Sequence, residues 1–439
     1  MLAERTISNV IKLISKGQMA MSPTKETHLP EAKLGQKYML YLHVPFCQNL
    51  CPYCSYNRYP LCEDSGARYY KNLRKEMLML KDLGYDFETM TFGGGTPTVM
   101  FDEFCETVDV ARANFNIKEV STETNPNHLD TEYLEKMKGR VDRLSVGVQS
   151  FDDDLLKQMD RYDAYGSGEQ NLERLREAST YYDNLSVDMI FNFPAQSDQS
   201  LLEDIQKLID SDCGQLTYHS LHSSKATERK MRETFGKVDF NREYHLYQML
   251  DSALADGDDA AFKRRTVWTY NRMDEQGNDT YELILDDPGV AFDEYPALGC
   301  GAISHLGDKL YVNNFSVNGY CQAIEKGRMS LIGQTHITPG NSMKVRLMRS
   351  LYDLHLDKKA FREEFGVSVE RGLAVELAFL RMNKAFEIDD ENELTLTPKG
   401  RYLASVIYRQ YCISLNSLRE QARGTLEGEE SELSFNPTP

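Results

Sequence analysis

Three cysteines, Cys47, Cys51 and Cys54, lie within eight residues of one another, directly after a short apolar strand pattern at 38–44. They belong to the stretch YLHVPFCQNLCPYCSY, residues 41–56. At C-x3-C-x2-C spacing, three thiolates converge on one point only if the backbone wraps around it. A cubane iron–sulfur cluster is an object of that size, and Cys thiolates are its usual ligands. Four irons and three cysteines leave one iron without a protein ligand, and an open iron can bind a small molecule through nitrogen and oxygen. The spacing also admits half of a zinc site with His43 as the fourth ligand. Structural zinc prefers paired C-x2-C knuckles, however, and no second knuckle follows. Disulfides need an oxidising compartment, which nothing in the sequence indicates.

The chain of 439 residues is long enough for a barrel-sized core plus one or two smaller units. With 41% apolar and 27% charged residues it has the composition of a soluble globular protein. No apolar run is long enough to span a bilayer. The N-terminal MLAERTISNVIKLISKGQMAMSP has amphipathic helix periodicity but neither the apolar core nor the cleavage site of a signal peptide, so a cytoplasmic protein is expected. A net charge of −18 argues against a nucleic-acid partner, which needs a cationic surface. The scattered Cys62, Cys105, Cys213, Cys300, Cys321 and Cys412 suit a reducing compartment and are expected in the core.

In chain order, 1–36 reads as an N-terminal arm. From 37 to 225, strand patterns at 38–44, 89–92, 119–123, 143–148, 185–191 and 215–220 alternate with helix-period segments. Six β–α repeats predict a parallel sheet in a partial (β/α)6 TIM barrel, where function collects at the C-terminal ends of strands. Such ends carry Gly93-Gly94-Gly95-Thr96-Pro97-Thr98, whose backbone allows close approach and whose N–H groups can hold a carboxylate. Others carry Thr122-Glu123-Thr124-Asn125-Pro126 and Ser145-Val146-Gly147-Val148-Gln149-Ser150-Phe151, with Arg161 beyond and Asp188 in the fifth strand. Residues 226–339 are less regular, with a helix at 244–254 and strands at 265–272, 279–283 and 309–313. Trp268, Tyr270, Tyr281 and Tyr295 there are candidates to line a pocket for a flat substrate. Residues 340–412 read as helices, a β-wing at 386–396 and a last helix. This winged-helix-like pattern is expected to serve as a lid rather than a DNA reader. The acidic stretch 413–439 is expected to be disordered.

An aromatic before the last cysteine, within Y-x-H-x-P-F-C, resembles the signature of the radical S-adenosylmethionine (SAM) superfamily in its HemN-like branch, founded by oxygen-independent coproporphyrinogen III oxidase. The resemblance implies a radical SAM barrel, a sheet extension at 226–339 that covers the barrel mouth, a HemN-type C-terminal domain, and a [4Fe–4S] cluster on Cys47, Cys51 and Cys54. It also implies SAM, in two molecules, and an external electron donor such as flavodoxin or ferredoxin. Gly94, Gly95 and Thr96 resemble the GGTP motif that holds the methionine part of SAM. Glu123, in E-x-[ND]-P, is implied to meet its ammonium or ribose. Tyr41 and Tyr53 are implied to touch the first SAM, and Ile303 to reach it from outside the barrel. Gln149, Arg161 and Asp188 match positions that hold the second SAM, with Gly95 and Thr96 between the two.

Within this family the 5′-deoxyadenosyl radical serves several ends. Tyr56 stands where coproporphyrinogen oxidases carry a fourth cysteine, which lowers decarboxylation. The nearest match to the H-N-x-x-Y-W haem motif of HemW-like chaperones is Asn313-Asn314-Phe315-Ser316, which lacks the histidine and the tryptophan. The two-SAM set favours a class C methyltransferase-like enzyme acting on an aromatic or tetrapyrrole-like substrate.

Overall fold

The structure is a computed structural model that describes residues 21–183, 185–221, 228–257, 260–274, 294–416 and 418–426. The amphipathic segment 1–20, the strand expected at 279–283, Tyr281 and residues 427–439 lie outside the described residues.

Six parallel strands run side by side in chain order: β1 (Tyr38–Val44), β2 (Phe87–Gly94), β3 (Glu119–Thr124), β4 (Arg143–Gln149), β5 (Leu185–Phe191) and β6 (Gln215–Ser220). Leu40, Leu42, Met90, Phe92, Leu144, Val146, Val187 and Leu216 are fully buried. Such near-continuous apolar runs are what a parallel sheet covered on both faces requires. The crossover helices α1 (Glu63–Asp82), α2 (Phe101–Asn114), α3 (Thr131–Met137), α4 (Gly168–Ser179) and α5 (Asp198–Ile209) follow their strands. Three of them start at side chains that accept from the first turn: Asp130, Ser167 (in a capping box with Gln170) and Ser197.

The sheet stays open. Beyond β6 it continues antiparallel into Thr269–Arg272 and Phe262–Arg264, and beyond β1 it gains Ala297–Leu298 in parallel. This is the partial barrel expected from the repeat pattern. One element differs: 265–272 is not a single strand but the turn and second arm of a hairpin. Thr266 Oγ1 accepts from the backbone N–H groups of Trp268 (3.2 Å) and Thr269 (3.0 Å), which bends the chain there.

Around this sheet lie two smaller ones. In one, the arm residues Ser22–Pro23 pair with Leu331–His336, followed by Lys309–Asn313 and Ile303–Leu306. In the other, His355–Asp357, Glu393–Leu396 and Phe386–Asp389 form a wing beside the helices Lys358–Phe365 and Ala374–Met382. The C-terminal stretch departs from expectation. The helix Pro398–Asn416 runs past residue 412, and a further helix, Leu418–Thr425, follows. Leu418, Ala422 and Leu426 recur at helical spacing and are buried against Met21, Val312 and Phe315; the run of acidic residues begins only at Glu427, beyond this helix. Among the described residues no helix is long and apolar enough to cross a membrane.

Glu76 ties α1 to the segment that follows Ala297–Leu298. The carboxylate is fully buried and accepts from the Gly299 N–H (2.9 Å), the Tyr320 hydroxyl (2.7 Å) and the Asn313 amide (3.3 Å). Burial nevertheless raises its pKa from an ordinary 4.5 to about 7. A raised folded-state value means that the stabilising contribution is complete below the unfolded pKa and disappears as pH rises through about 7. Glu76→Gln, which cannot ionise, is therefore expected to gain on the wild type by about 1–3 kcal/mol between pH 5 and pH 8, read from urea unfolding. A constant difference across that range would refute the assignment.

Candidate active site

The loop that carries the cysteines leaves β1 and is closed at its base by a short parallel ladder, Phe46–Cys47 beside Tyr59–Pro60. Backbone bonds from Tyr59 to the Pro45 carbonyl (2.6 Å) and from Leu61 to the Cys47 carbonyl (3.0 Å) bring its two ends together. Inside the loop the Arg58 guanidinium donates to the carbonyls of Cys51 (2.6 Å) and Cys54 (2.7 Å). The chain therefore wraps back on itself, as three convergent thiols require.

The turn after β2 packs directly on this loop. Gly95 N–H donates to the Val44 carbonyl (2.7 Å) and Thr96 N–H to the Phe46 carbonyl (2.7 Å). A Cβ on Gly95 would stand 2.5 Å from the Phe46 oxygen, and one on Gly94, at φ +116°, 2.6 Å from the His43 ring. The glycines thus serve close approach. The N–H groups of Gly95 and Thr96, expected to be open to a carboxylate, are spent on the loop.

A polar arch joins two of the thiols. Arg161 Nη1 lies 3.5 Å from Cys51 Sγ, and Arg161 Nη2 donates to Asn125 Oδ1 (3.0 Å) and to the Gly147 carbonyl. Asn125 Nδ2 donates to Thr96 Oγ1 (2.8 Å), which in turn points its hydroxyl at Cys47 Sγ (3.7 Å). Arg161 is buried and stacks on the Tyr165 ring, 4.3 Å from its centroid. Arg58 and Asn125 belong to this machinery without having been singled out from sequence. Asn125 sat inside the motif that drew attention to Glu123.

One cavity unites most of the expected site residues. Cys47, Cys51, Cys54, Tyr53, Gly94, Gly95, Thr96, Glu123, Gln149, Arg161 and Asp188 all line it. Gln149 ends β4 in the left-handed region, φ +78°, where the register against β5 slips between Gly147 and Gln149. Such conformations in a residue other than glycine concentrate at functional sites. Asp188 accepts from Ser145 Oγ at 3.0 Å on each carboxylate oxygen, which fixes its orientation. Tyr53 packs edge-on to Phe193 (5.7 Å between centroids).

Two expected residues stand elsewhere. Tyr41 is not among the lining residues; its hydroxyl stands beside Gly93 and 3.2 Å from His43 Nδ1. Ile303 starts a strand of the smaller sheet and packs with Met21, Val312 and Phe315, away from the cavity wall. Of the four aromatic pocket candidates, Trp268 reaches the cavity, whereas Tyr270 and Tyr295 do not. Tyr352, Tyr408, Cys412 and His219 also line it, none of them marked by a local motif.

The donor set suits an iron–sulfur cluster. The three thiols are unbridged, Cys47 and Cys51 are buried, and burial pushes the Cys47 thiol up to about 12 and the Cys54 thiol upward. Thiolates in such surroundings need a metal partner to form. The zinc alternative fails at His43, whose ring nitrogens face the Tyr41 hydroxyl (3.2 Å) and the Asn57 carbonyl (3.2 Å).

Comparison with known proteins agrees with this chemistry. The radical SAM superfamily profile matches residues 41–208. The heme chaperone HemW of Bacillus subtilis is 25% identical over 379 residues, covering 84% of this chain and 97% of that protein. The oxygen-independent coproporphyrinogen III oxidase of Helicobacter pylori is 24% identical over 365 residues, covering 78% of each. In three dimensions the chain superposes on coproporphyrinogen III oxidase (HemN) of Escherichia coli, a radical SAM enzyme, with a TM-score of 0.71 at 19% identity. That match spans 93% of this chain and 98% of the other, and it establishes a shared fold.

Two substitutions probe the geometry. Gly95→Ala drives a methyl group into the Phe46 carbonyl and is expected to lower iron incorporation on anaerobic reconstitution at least fivefold; full loading would show that the close approach is dispensable. Asn125→Ala removes the middle of the arch while leaving the thiols in place. It is expected to load normally but lose iron to a chelator several times faster than the wild type.

Proposed function

We propose, taking as premise that this chain is a HemN-like member of the radical SAM superfamily, that it cleaves SAM to act on a flat aromatic or tetrapyrrole-like substrate, with a second SAM as methyl donor. The observation that carries this reading is the convergence on one cavity of three thiols and two polar sets, Glu123 beside Gly94–Thr96 and Gln149 with Arg161 and Asp188, facing an aromatic wall.

Cys47, Cys51 and Cys54 would hold the [4Fe–4S] cluster, with SAM beside it. When bound, these groups supply a one-electron reductive cleavage that yields the 5′-deoxyadenosyl radical. The rest falls to the chain. Arg161 and Arg58 place positive charge beside the thiol loop and set it in a rigid frame. Glu123, at the exposed end of β3, offers a carboxylate to an ammonium or a ribose. Gln149 on the next strand, at a left-handed backbone, and Asp188 on the one after, oriented by Ser145, offer a second set of polar contacts. The buried walls around Tyr53, Trp268 and Tyr408 keep water from the reacting atoms.

A second reading, oxidative decarboxylation of coproporphyrinogen, is favoured by the relatives that carry that name and by a fold match along almost the whole chain. Tyr56 in place of a fourth cysteine speaks against it. Haem binding, suggested by the relatives named heme chaperone HemW, is the third reading.

Anaerobic turnover with methyl-labelled SAM and dithionite separates the three. With coproporphyrinogen III, haem or menaquinone present, 5′-deoxyadenosine and S-adenosylhomocysteine are expected together, with label in a product. Cys51→Ala is expected to abolish both while leaving the circular dichroism spectrum unchanged. Deoxyadenosine with loss of carbon dioxide and no transferred label would replace methyl transfer with decarboxylation. Tight haem binding without either nucleoside product would leave only the chaperone reading.

A further inference from the structure

One wall of the cavity is built from four separate elements. β6 contributes His219, the hairpin turn Trp268, the helix Pro339–Tyr352 its last residue Tyr352, and the helix Pro398–Asn416 both Tyr408 and Cys412. The rings form one continuous surface. Trp268 meets His219 edge-on at 4.8 Å between centroids, Tyr408 at 5.1 Å and Tyr352 at 5.9 Å, while Tyr352 and Tyr408 lie 4.2 Å apart at a 38° tilt.

This surface is held rigidly. The Trp268 carbonyl accepts from Tyr218 N–H (2.9 Å), Val267 N–H donates to the Tyr352 carbonyl (3.0 Å), and the Tyr247 hydroxyl donates to the Val267 carbonyl (3.0 Å). The helix bearing Tyr408 is pinned one residue on, where buried Arg409 pairs with fully buried Glu243 and donates to Ser220 Oγ (3.0 Å). A preorganised wall of this kind binds a rigid ligand without first having to be ordered.

Trp268 is the centre of the wall: it is in ring contact with His219, Tyr352 and Tyr408, and its indole N–H is buried with no hydrogen-bond acceptor among the described residues. Changing this one ring therefore alters the whole surface.

We propose that this wall is the substrate-recognition subsite, taking a flat conjugated ring system, and that Trp268 is its specificity-determining residue. The C-terminal helices then supply half of the substrate pocket rather than a cover alone. This inference rests on the reading above that the substrate is flat and aromatic, and it adds which residues select it.

Trp268 is the one tryptophan in the chain, so its emission reports on this subsite. The reconstituted full-length protein would be titrated anaerobically with coproporphyrin III and, separately, with menadione. Saturable quenching of Trp268 by at least one probe is expected. The Kd, read from the probe's own absorbance, is expected to rise about tenfold in Trp268→Leu, which removes the ring at the centre of the wall, and by a similar factor in Tyr352→Leu. SAM binding by equilibrium dialysis is expected to stay within twofold in both variants. Absence of quenching by either probe would overturn the proposal, as would unchanged probe affinity in both variants, or loss of SAM binding in parallel with probe binding. Quenching that obeys the variants while turnover yields no deoxyadenosine would keep the subsite and dismiss the radical reading. Turnover with a silent Trp268 and unaffected variants would do the reverse.

Discussion

Two backbone hydrogen bonds, from Gly95 to Val44 and from Thr96 to Phe46, seat the turn after β2 against the start of the cysteine loop. They can form only because no side chain stands between Gly95 and the Phe46 carbonyl. From that seam the remaining geometry follows. Thr96 is brought within reach of Cys47, Asn125 reaches Thr96 from the end of β3, and Arg161 reaches both Asn125 and Cys51 from beyond β4. Consecutive parallel strands thus each contribute one element of an arch over the thiols. A parallel sheet suits this arrangement because its strand ends all open on one side.

The same constraint explains why the thiols tolerate burial. A buried thiol resists ionisation, as the high value at Cys47 illustrates. The loop carries no acid or imidazole among its cavity-facing ligands, and its nearest charges are the guanidiniums of Arg58 and Arg161. A soft, thiolate-binding iron–sulfur cluster matches these surroundings, since the loop itself offers no carboxylate to a hard cation.

One wall of the cavity is formed by pieces that are far apart in sequence. Asp251 shows how the C-terminal unit is attached. It bonds Arg264 of the sheet extension at 2.6 Å and Arg401 of the helix Pro398–Asn416 at 2.7 Å, and it accepts from the Tyr270 hydroxyl. Together with the Arg409–Glu243 pair, this charged network holds the helix carrying Tyr408 against the barrel. Removing one partner of such buried networks is costly because the other is left uncompensated. Tyr270, a pocket candidate by sequence, turns out to serve this attachment instead.

Local patterns in the sequence were enough to determine the six strands of the parallel sheet to within two residues at each end, and to place the cysteine loop and the motifs around Gly95, Glu123 and Gln149 at their C-terminal ends. Each depends on near neighbours: apolar runs for doubly covered strands, close cysteine spacing for a shared ligand, glycine for a tight approach. What only the tertiary structure decided depends on contacts between distant segments. Gly95 gives its N–H to the loop, Asn125 and Arg58 complete the thiol frame, and Ile303 joins a separate apolar cluster. Composition alone likewise missed the ordered helix at Leu418–Thr425, since its burial depends on Met21, Val312 and Phe315. The aromatic wall of Trp268, Tyr352 and Tyr408 was equally invisible, because it exists only where four chain segments meet. Spacing along the chain encodes what a segment can do by itself; which segments face one another is settled by how their buried surfaces pack.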